Sequence, residues 1–255
     1  MSETNQTEIK RRRGIYLLPN LFTTAALFAG FFAIVNAMKG NFEYAAIAIY
    51  IAMVLDGIDG RVARLTNTQS AFGEQYDSLA DLISFGLAPA LVMYTWALST
   101  MGKLGWLVAF VYTASAALRL ARFNIQVASA DKRYFTGLPS PSAAAVVAGM
   151  VWVVNDYGVP GREVTWIALV LTLVAGLLMV SNIRYRSFKD MDLKGKVPFV
   201  AVLLVMLGYV FISIHPPQVL FGLFMLYAIS GPFTTLGLLR RVRRERNKEK
   251  DEGDD

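Results

Sequence analysis

Apolar residues in this chain fall in long runs broken by short polar stretches, not at the three-to-four-residue spacing of amphipathic helices. Runs of that kind predict helices that are apolar on every side, the pattern of membrane spans. Eight such spans are delimited: Leu17 to Met38, Phe42 to Arg64, Tyr76 to Thr100, Leu104 to Phe123, Ser142 to Val154, Thr165 to Val180, Val197 to Ile214 and Val219 to Leu239. The fifth and sixth fall short of the roughly 20 residues a straight span needs, so six spans is the alternative count. The predicted fold class is an all-α, polytopic membrane bundle. It comprises a basic segment at 1–16, a membrane-embedded domain at 17–239 and a disordered charged tail at 240–255.

Composition agrees with this pattern. Apolar residues make up 55% of the 255, and the mean hydropathy is +0.44, above the soluble range. The net charge of +6 is informative through its distribution. With both termini placed in the cytoplasm, all but Lys39, Lys103 and Arg162 of the 25 lysines and arginines fall on the cytoplasmic side. Retention of positive charge there is the expected bias. The tail RRVRRERNKEKDEGDD reads as part of that topology signal with a solvated end, in preference to a lipid-headgroup contact. No cleaved signal peptide is expected at the N-terminus. With no cysteine there is neither a disulfide framework nor a thiolate site, and aromatic or groove-reading features for nucleic acid are missing.

Four carboxylates stand out beside the apolar runs, where charge is expensive. The segment from Asp56 to Asp81 reads D-x-x-D-G-x-x-A-R, then eight residues, then G-x-x-x-D-x-x-x-D. Asp56 and Asp59, three apart at the end of the second span, share a helix face, as do Asp77 and Asp81, four apart at the start of the third. The intervening turn brings the two helix ends together, so the four converge at the cytoplasmic edge. Unneutralised, they would repel; all-oxygen ligands suit magnesium, manganese or calcium. Two such ions bridged by carboxylates serve displacement at phosphorus. Gly57, Gly60 and Gly73 leave the backbone open to a phosphate, Arg64 can pair with one, and Ser70 can donate to it. Singly, the glycines are better explained by helix packing and Arg64 by cytoplasmic anchoring.

Together they resemble the signature of the CDP-alcohol phosphotransferase family of membrane enzymes, with every fixed position and spacing present. The resemblance implies that Asp56, Asp59 and Asp77 bind divalent metal, magnesium or manganese with two ions expected and calcium as a non-productive occupant. It further implies that Asp81 contributes to the metal site and acts as general base. Asp56, Gly60, Arg64, Ser70 and Gly73 are expected around the CDP moiety of a CDP-lipid. The family's PN-x-x-T element appears as Pro19, Asn20 and Thr23, which places Asn20 and Thr23 near the nucleotide.

Two further segments bear on the acceptor: LRLARFN (Leu118 to Asn124) and FTGLPSPSAAA (Phe135 to Ala145). Arg119 and Arg122 serve equally as membrane-edge anchors or as bidentate partners of an anion. Thr136 to Ser142 reads as a helix-start loop whose N–H groups and hydroxyls suit a small polar ligand. These segments resemble the serine-using branch of the family, which implies CDP-diacylglycerol and L-serine as substrates and phosphatidylserine and CMP as products. Arg119, Arg122, Asn124, Thr136, Gly137 and Ser140 are the candidates for the serine end. The alternatives are another acceptor, such as glycerol 3-phosphate or inositol phosphate, and, from a different class, a cation-coupled transporter. Resemblance also suggests a homodimer and a bacterial inner membrane.

Overall fold

The computed structural model describes residues 3–66, 68, 70–126, 134–186 and 199–251. Lys132, Arg133 and Lys189 to Lys196, part of the expected cytoplasmic charge, lie outside them. The helices are α1 (Glu3–Met38), α2 (Phe42–Leu65), α3 (Ala71–Asp81), α4 (Ala88–Trp96), α5 (Lys103–Gln126), α6 (Ser140–Asp156), α7 (Thr165–Val180), α8 (Phe199–Ile214) and α9 (Pro216–Asp251). A π-helical turn, Leu82–Leu87, joins α3 to α4 as one continuous rod. Each of the eight predicted spans overlaps a helix or this rod, with Val197 and Pro198 of the seventh outside the described residues. Among the described residues, four stretches are long and apolar enough to cross a membrane: Pro19–Met38, Ala71–Trp96, Lys103–Ile125 and Pro216–Thr235. Thr165–Val180 is apolar but shorter.

The interior is built from small residues. Ala26, Ala29, Ala33 and Ala37 form one buried stripe of α1, and Ala45, Ala46, Ala48 and Ala52 answer it from α2. Large apolar side chains such as Phe28, Phe31, Phe110 and Leu226 point outward. Apolar bulk outside and small residues between helices is the arrangement of a bundle in lipid, where close backbone approach, not expulsion of water, drives packing. α6 is the most enclosed helix, with Ala143 to Met150 almost entirely buried. Tyr50 of α2 crosses to it, its hydroxyl donating to the Ala145 carbonyl at 2.7 Å.

The π turn has a local cause. Pro89 has no N–H to donate to the Phe85 carbonyl, and the Ala88 N–H reaches back five residues to Ile83. The Phe85 carbonyl accepts instead from the buried Tyr112 hydroxyl of α5 at 3.1 Å. On the other side the turn meets α1, where Ser84 Oγ donates to the Ala26 carbonyl at 3.1 Å. Gly30 permits that approach: a Cβ there would lie 2.6 Å from Ser84 Oγ and 2.8 Å from Ser84 Cα. The turn that follows Asp81 is thus held from two sides.

Two short strands, β1 (Tyr134–Thr136) and β2 (Arg184–Arg186), pair antiparallel with Phe135 opposite Tyr185. They were not foreseen from the sequence, where both segments read as loops. The tail departs from expectation in the opposite sense, since α9 continues to Asp251 through most of the segment expected to be disordered. Arginine, lysine and glutamate are good helix formers, and here they extend a helix already nucleated by its apolar part.

Candidate active site

The connection between α2 and α3 is short and internally bonded. Thr66 Oγ1 donates to the Val62 carbonyl at 2.7 Å and sits 2.7 Å from Thr68 Oγ1, while the Thr68 N–H reaches the Ala63 carbonyl. Ser70 caps α3, accepting from the Gly73 N–H at 3.0 Å. This turn brings Asp56 and Asp59 of α2 against Asp77 of α3, with one carboxylate oxygen from each within 4.8 Å of the others. Asp59 is buried and fixed by Thr23 of α1, whose hydroxyl donates to Asp59 Oδ2 at 2.7 Å. Asp77 Oδ1 is buried without a hydrogen-bond partner.

Three converging carboxylates with an orphaned buried oxygen make a poor arrangement by themselves, because like charges repel and an unpaired acceptor costs roughly 1–3 kcal/mol. A divalent cation removes both penalties, and an all-oxygen donor set fits a hard ion. The cluster therefore fits a divalent metal. Asp81, one helical turn beyond Asp77, lies outside this triad; it shares a hydrogen bond with Asp56 and has Asp77 and Asp59 as charged neighbours.

The cluster opens on a cavity of about 590 Å³ at one end of the bundle. α1 contributes Pro19, Asn20 and Thr23 to its wall; α2 contributes Asp59, Gly60, Ala63 and Arg64; α3 and its cap contribute Ser70, Gly73, Asp77, Ser78 and Asp81. Every CDP-contact candidate but Asp56 borders this cavity, and Asp56 joins it through the carboxylate cluster. A Cβ on Gly73 would stand 3.1 Å from Ser70 Oγ and 3.5 Å from Asn20 Oδ1, so the glycine keeps a passage open between α1 and α3. Gly57, by contrast, is exposed and faces open space.

The acceptor candidates are more scattered. Asn124 lines the cavity and bonds Ser78, its Nδ2 donating to Ser78 Oγ at 3.0 Å, which ties the end of α5 to α3. Arg119 lies one level deeper, within electrostatic reach of Asp81, with Nη1 donating to the buried Ser140 Oγ at 2.9 Å. Arg122 is turned toward the end of α7, donating to Asn182 Oδ1 at 2.7 Å. Thr136 pairs with Arg184 in the strand ladder. The N–H groups of Gly137 and Leu138 are spent on the carbonyls of Ile183 and Leu178, so the loop does not present the free donors its sequence suggested. Gly137 has φ +79° and lies so close to the Met179 carbonyl that a Cβ would collide with it. Its glycine character is explained by that passage.

Two residues near the site escaped sequence reasoning. Tyr76 sits 2.9 Å from Thr24 Oγ1 and so links α3 to α1 beside the cavity; its position between Gly73 and Asp77 was the available signal. Tyr227 of α9 lies within electrostatic reach of Arg119. Nothing in the apolar run around it marks that tyrosine.

Comparison with known proteins agrees with this geometry. The family model described as CDP-alcohol phosphatidyltransferase matches residues 16–180, which span all four aspartates. A CDP-diacylglycerol–serine O-phosphatidyltransferase of Helicobacter pylori is 39% identical over 216 residues, covering 84% of this chain and 90% of the relative. Proteins of the same description from Mycobacterium leprae (29% over 235 residues, 90% of this chain and 78% of the relative) and Methanocaldococcus jannaschii (34% over 183 residues, 72% and 80%) are also similar. With this match across the helices that build the carboxylate cluster, the chain belongs to the CDP-alcohol phosphatidyltransferase family.

Proposed function

We propose that this protein transfers the phosphatidyl group of CDP-diacylglycerol to the hydroxyl of L-serine, giving phosphatidylserine and CMP. The observation that carries the reading is the Asp56, Asp59 and Asp77 cluster, with its orphaned Asp77 oxygen, open to a cavity large enough for a nucleotide. Relatives described as serine O-phosphatidyltransferases over most of the chain support serine as the acceptor.

In this reading Asp56, Asp59 and Asp77, with Asp81 at the edge, hold two divalent ions, magnesium or manganese, with calcium as a non-productive occupant. When bound, the ions supply charge neutralisation at the pyrophosphate and the departing CMP. Thr23 keeps Asp59 in register, and Asn20, Gly60, Arg64, Ser70 and Gly73 surround the CDP. Arg119, Ser140 and Asn124 receive serine, whose carboxylate calls for a guanidinium; Arg122, Thr136 and Gly137 form the surround of that end. Asp81 accepts the hydroxyl proton as the serine oxygen bonds to the phosphorus bearing diacylglycerol, while the bond from that phosphorus to the CMP oxygen breaks. The helices make eight spans, with the site and both termini on the cytoplasmic side of a bacterial inner membrane, and two copies pair as a homodimer.

The test is an acceptor panel. Purified protein in detergent is given CDP-diacylglycerol, manganese and one of labelled L-serine, glycerol 3-phosphate, inositol phosphate or none. Label from serine is expected in lipid; label from another acceptor, with none from serine, would overturn the assignment of the acceptor end.

A further inference from the structure

α5 ends at the cavity and gives its wall Leu120, Phe123, Asn124 and Ile125; among these described residues Asn124 alone is polar. Its amide meets Ser78 of α3, a residue that the spacing of the aspartate motif steps over. Asn124 Nδ2 donates to Ser78 Oγ at 3.0 Å, and Asn124 Oδ1 lies 3.3 Å from the same oxygen. A serine hydroxyl has one proton to give. The Glu74 carbonyl of the preceding turn takes it at 3.0 Å, the shorter of the two contacts open to it. Ser78 Oγ is then the acceptor toward Asn124, which fixes the sense of the amide. The N–H side is spent on Ser78, and the carbonyl oxygen keeps its lone pairs for another donor.

The face of α3 that carries Ser78 is the one that carries the aspartates. Glu74, Asp77, Ser78 and Asp81 all line the cavity, at the intervals of three and four that share a helix face. Ser78 stands three residues from Asp81, about 4.5 Å of helix rise. In L-serine the hydroxyl and the ammonium sit on adjacent carbons. A substrate whose hydroxyl meets Asp81 therefore brings its ammonium to the level of Ser78 and Asn124. Glu74, seven residues from Asp81 and about 10.5 Å along the helix, is beyond that reach.

We propose that Ser78 is a positioning residue for the acceptor, holding the Asn124 amide so that its carbonyl oxygen accepts from the ammonium of an amino-acid alcohol. The inference rests on the serine reading and deepens it, by assigning selection of an ammonium-bearing alcohol to this pair. The chemistry is complementary. An ammonium offers three donors and no acceptor, so the oxygen of an amide suits it and the nitrogen does not. A bond to a charged donor is also stronger than a neutral one. Because the amide is neutral, it adds no charge to the carboxylates of the metal cluster.

The test compares Ser78→Ala and Asn124→Ala with the wild type. S78A should raise the KM for L-serine about threefold to tenfold, the range of one neutral hydrogen bond. N124A should raise it about tenfold to a hundredfold, the range of a bond to a charged group. The KM for CDP-diacylglycerol should stay unchanged in both. L-Alanine, which keeps the ammonium and lacks the hydroxyl, should weaken in parallel as a competitive inhibitor. β-Hydroxypropionate, which keeps the hydroxyl and carboxylate and lacks the ammonium, should inhibit all three proteins equally. Ser78→Thr, which retains the hydroxyl, should return the serine KM toward the wild-type value. The double variant should show less than the product of the single effects, because both act through one amide. An unchanged serine KM in either folded variant would overturn the proposal. So would a loss that β-hydroxypropionate and CDP-diacylglycerol share, since the pair would then only tie α5 to α3. Failure of the wild-type protein to use serine would instead overturn the acceptor reading itself.

Discussion

Replacing Thr23 by valine isolates one contact that the structure makes specific. The Thr23 hydroxyl has a single proton and two acceptors within range, the Pro19 carbonyl at 3.1 Å and Asp59 Oδ2 at 2.7 Å. The shorter, charge-assisted bond is the stronger one. Both partners are 4% exposed, so water cannot substitute for the lost donor. Valine keeps the shape and removes the hydrogen bond, a change of about 1.5–3 kcal/mol for a bond to a charged group. If Asp59 is a metal ligand, that energy should appear in metal affinity, since loss of a group that orients a ligand typically costs 10–100-fold. Manganese binding by purified protein, read by electron paramagnetic resonance, should therefore weaken by about that factor. The same shift should appear in the manganese dependence of CMP release, with kcat largely recovered at saturating metal. Unchanged manganese binding in folded T23V would refute the reasoning, because Asp59 would then not be held for a cation.

Further perturbations test neighbouring parts of the account. Gly30→Val should lower thermal stability in detergent by about 1–3 kcal/mol and reduce activity as well, since the new side chain collides with Ser84 in the turn behind Asp81. Tyr112→Phe leaves the buried Phe85 carbonyl without its donor and should cost about 1–3 kcal/mol by the same measurement. Arg64→Lys should raise the KM for CDP-diacylglycerol and leave that for serine unchanged, because a lysine cannot make the bidentate contact with a phosphate. Asp77→Asn should abolish detectable manganese binding in the same resonance experiment while the protein remains folded.

What the sequence made legible was whatever local spacing determines. Helix positions followed from the apolar runs, and the convergence of Asp56, Asp59 and Asp77 followed from intervals of three and four residues joined by a turn. What escaped depends on contacts between distant segments. The β1–β2 pairing joins residues some 50 positions apart, and beyond it the carbonyls of Ile183 and Leu178 take the N–H groups of Gly137 and Leu138 that the sequence offered to a ligand. The π turn was encoded by Pro89, but its consequence needed Tyr112 and Gly30 to be seen in place. The helical extension of the tail was missed because charge was weighed above helix propensity.

The central claim, that the carboxylate cluster serves phosphatidyl transfer to serine with Asp81 as the base, is tested most directly by serine-dependent CMP release from wild-type protein and from Asp81→Asn. The account predicts release that requires both a divalent metal and serine, and a loss of about 10²–10⁴-fold in kcat for D81N. Release that ignores serine, or a D81N enzyme turning over at the wild-type rate, would contradict it.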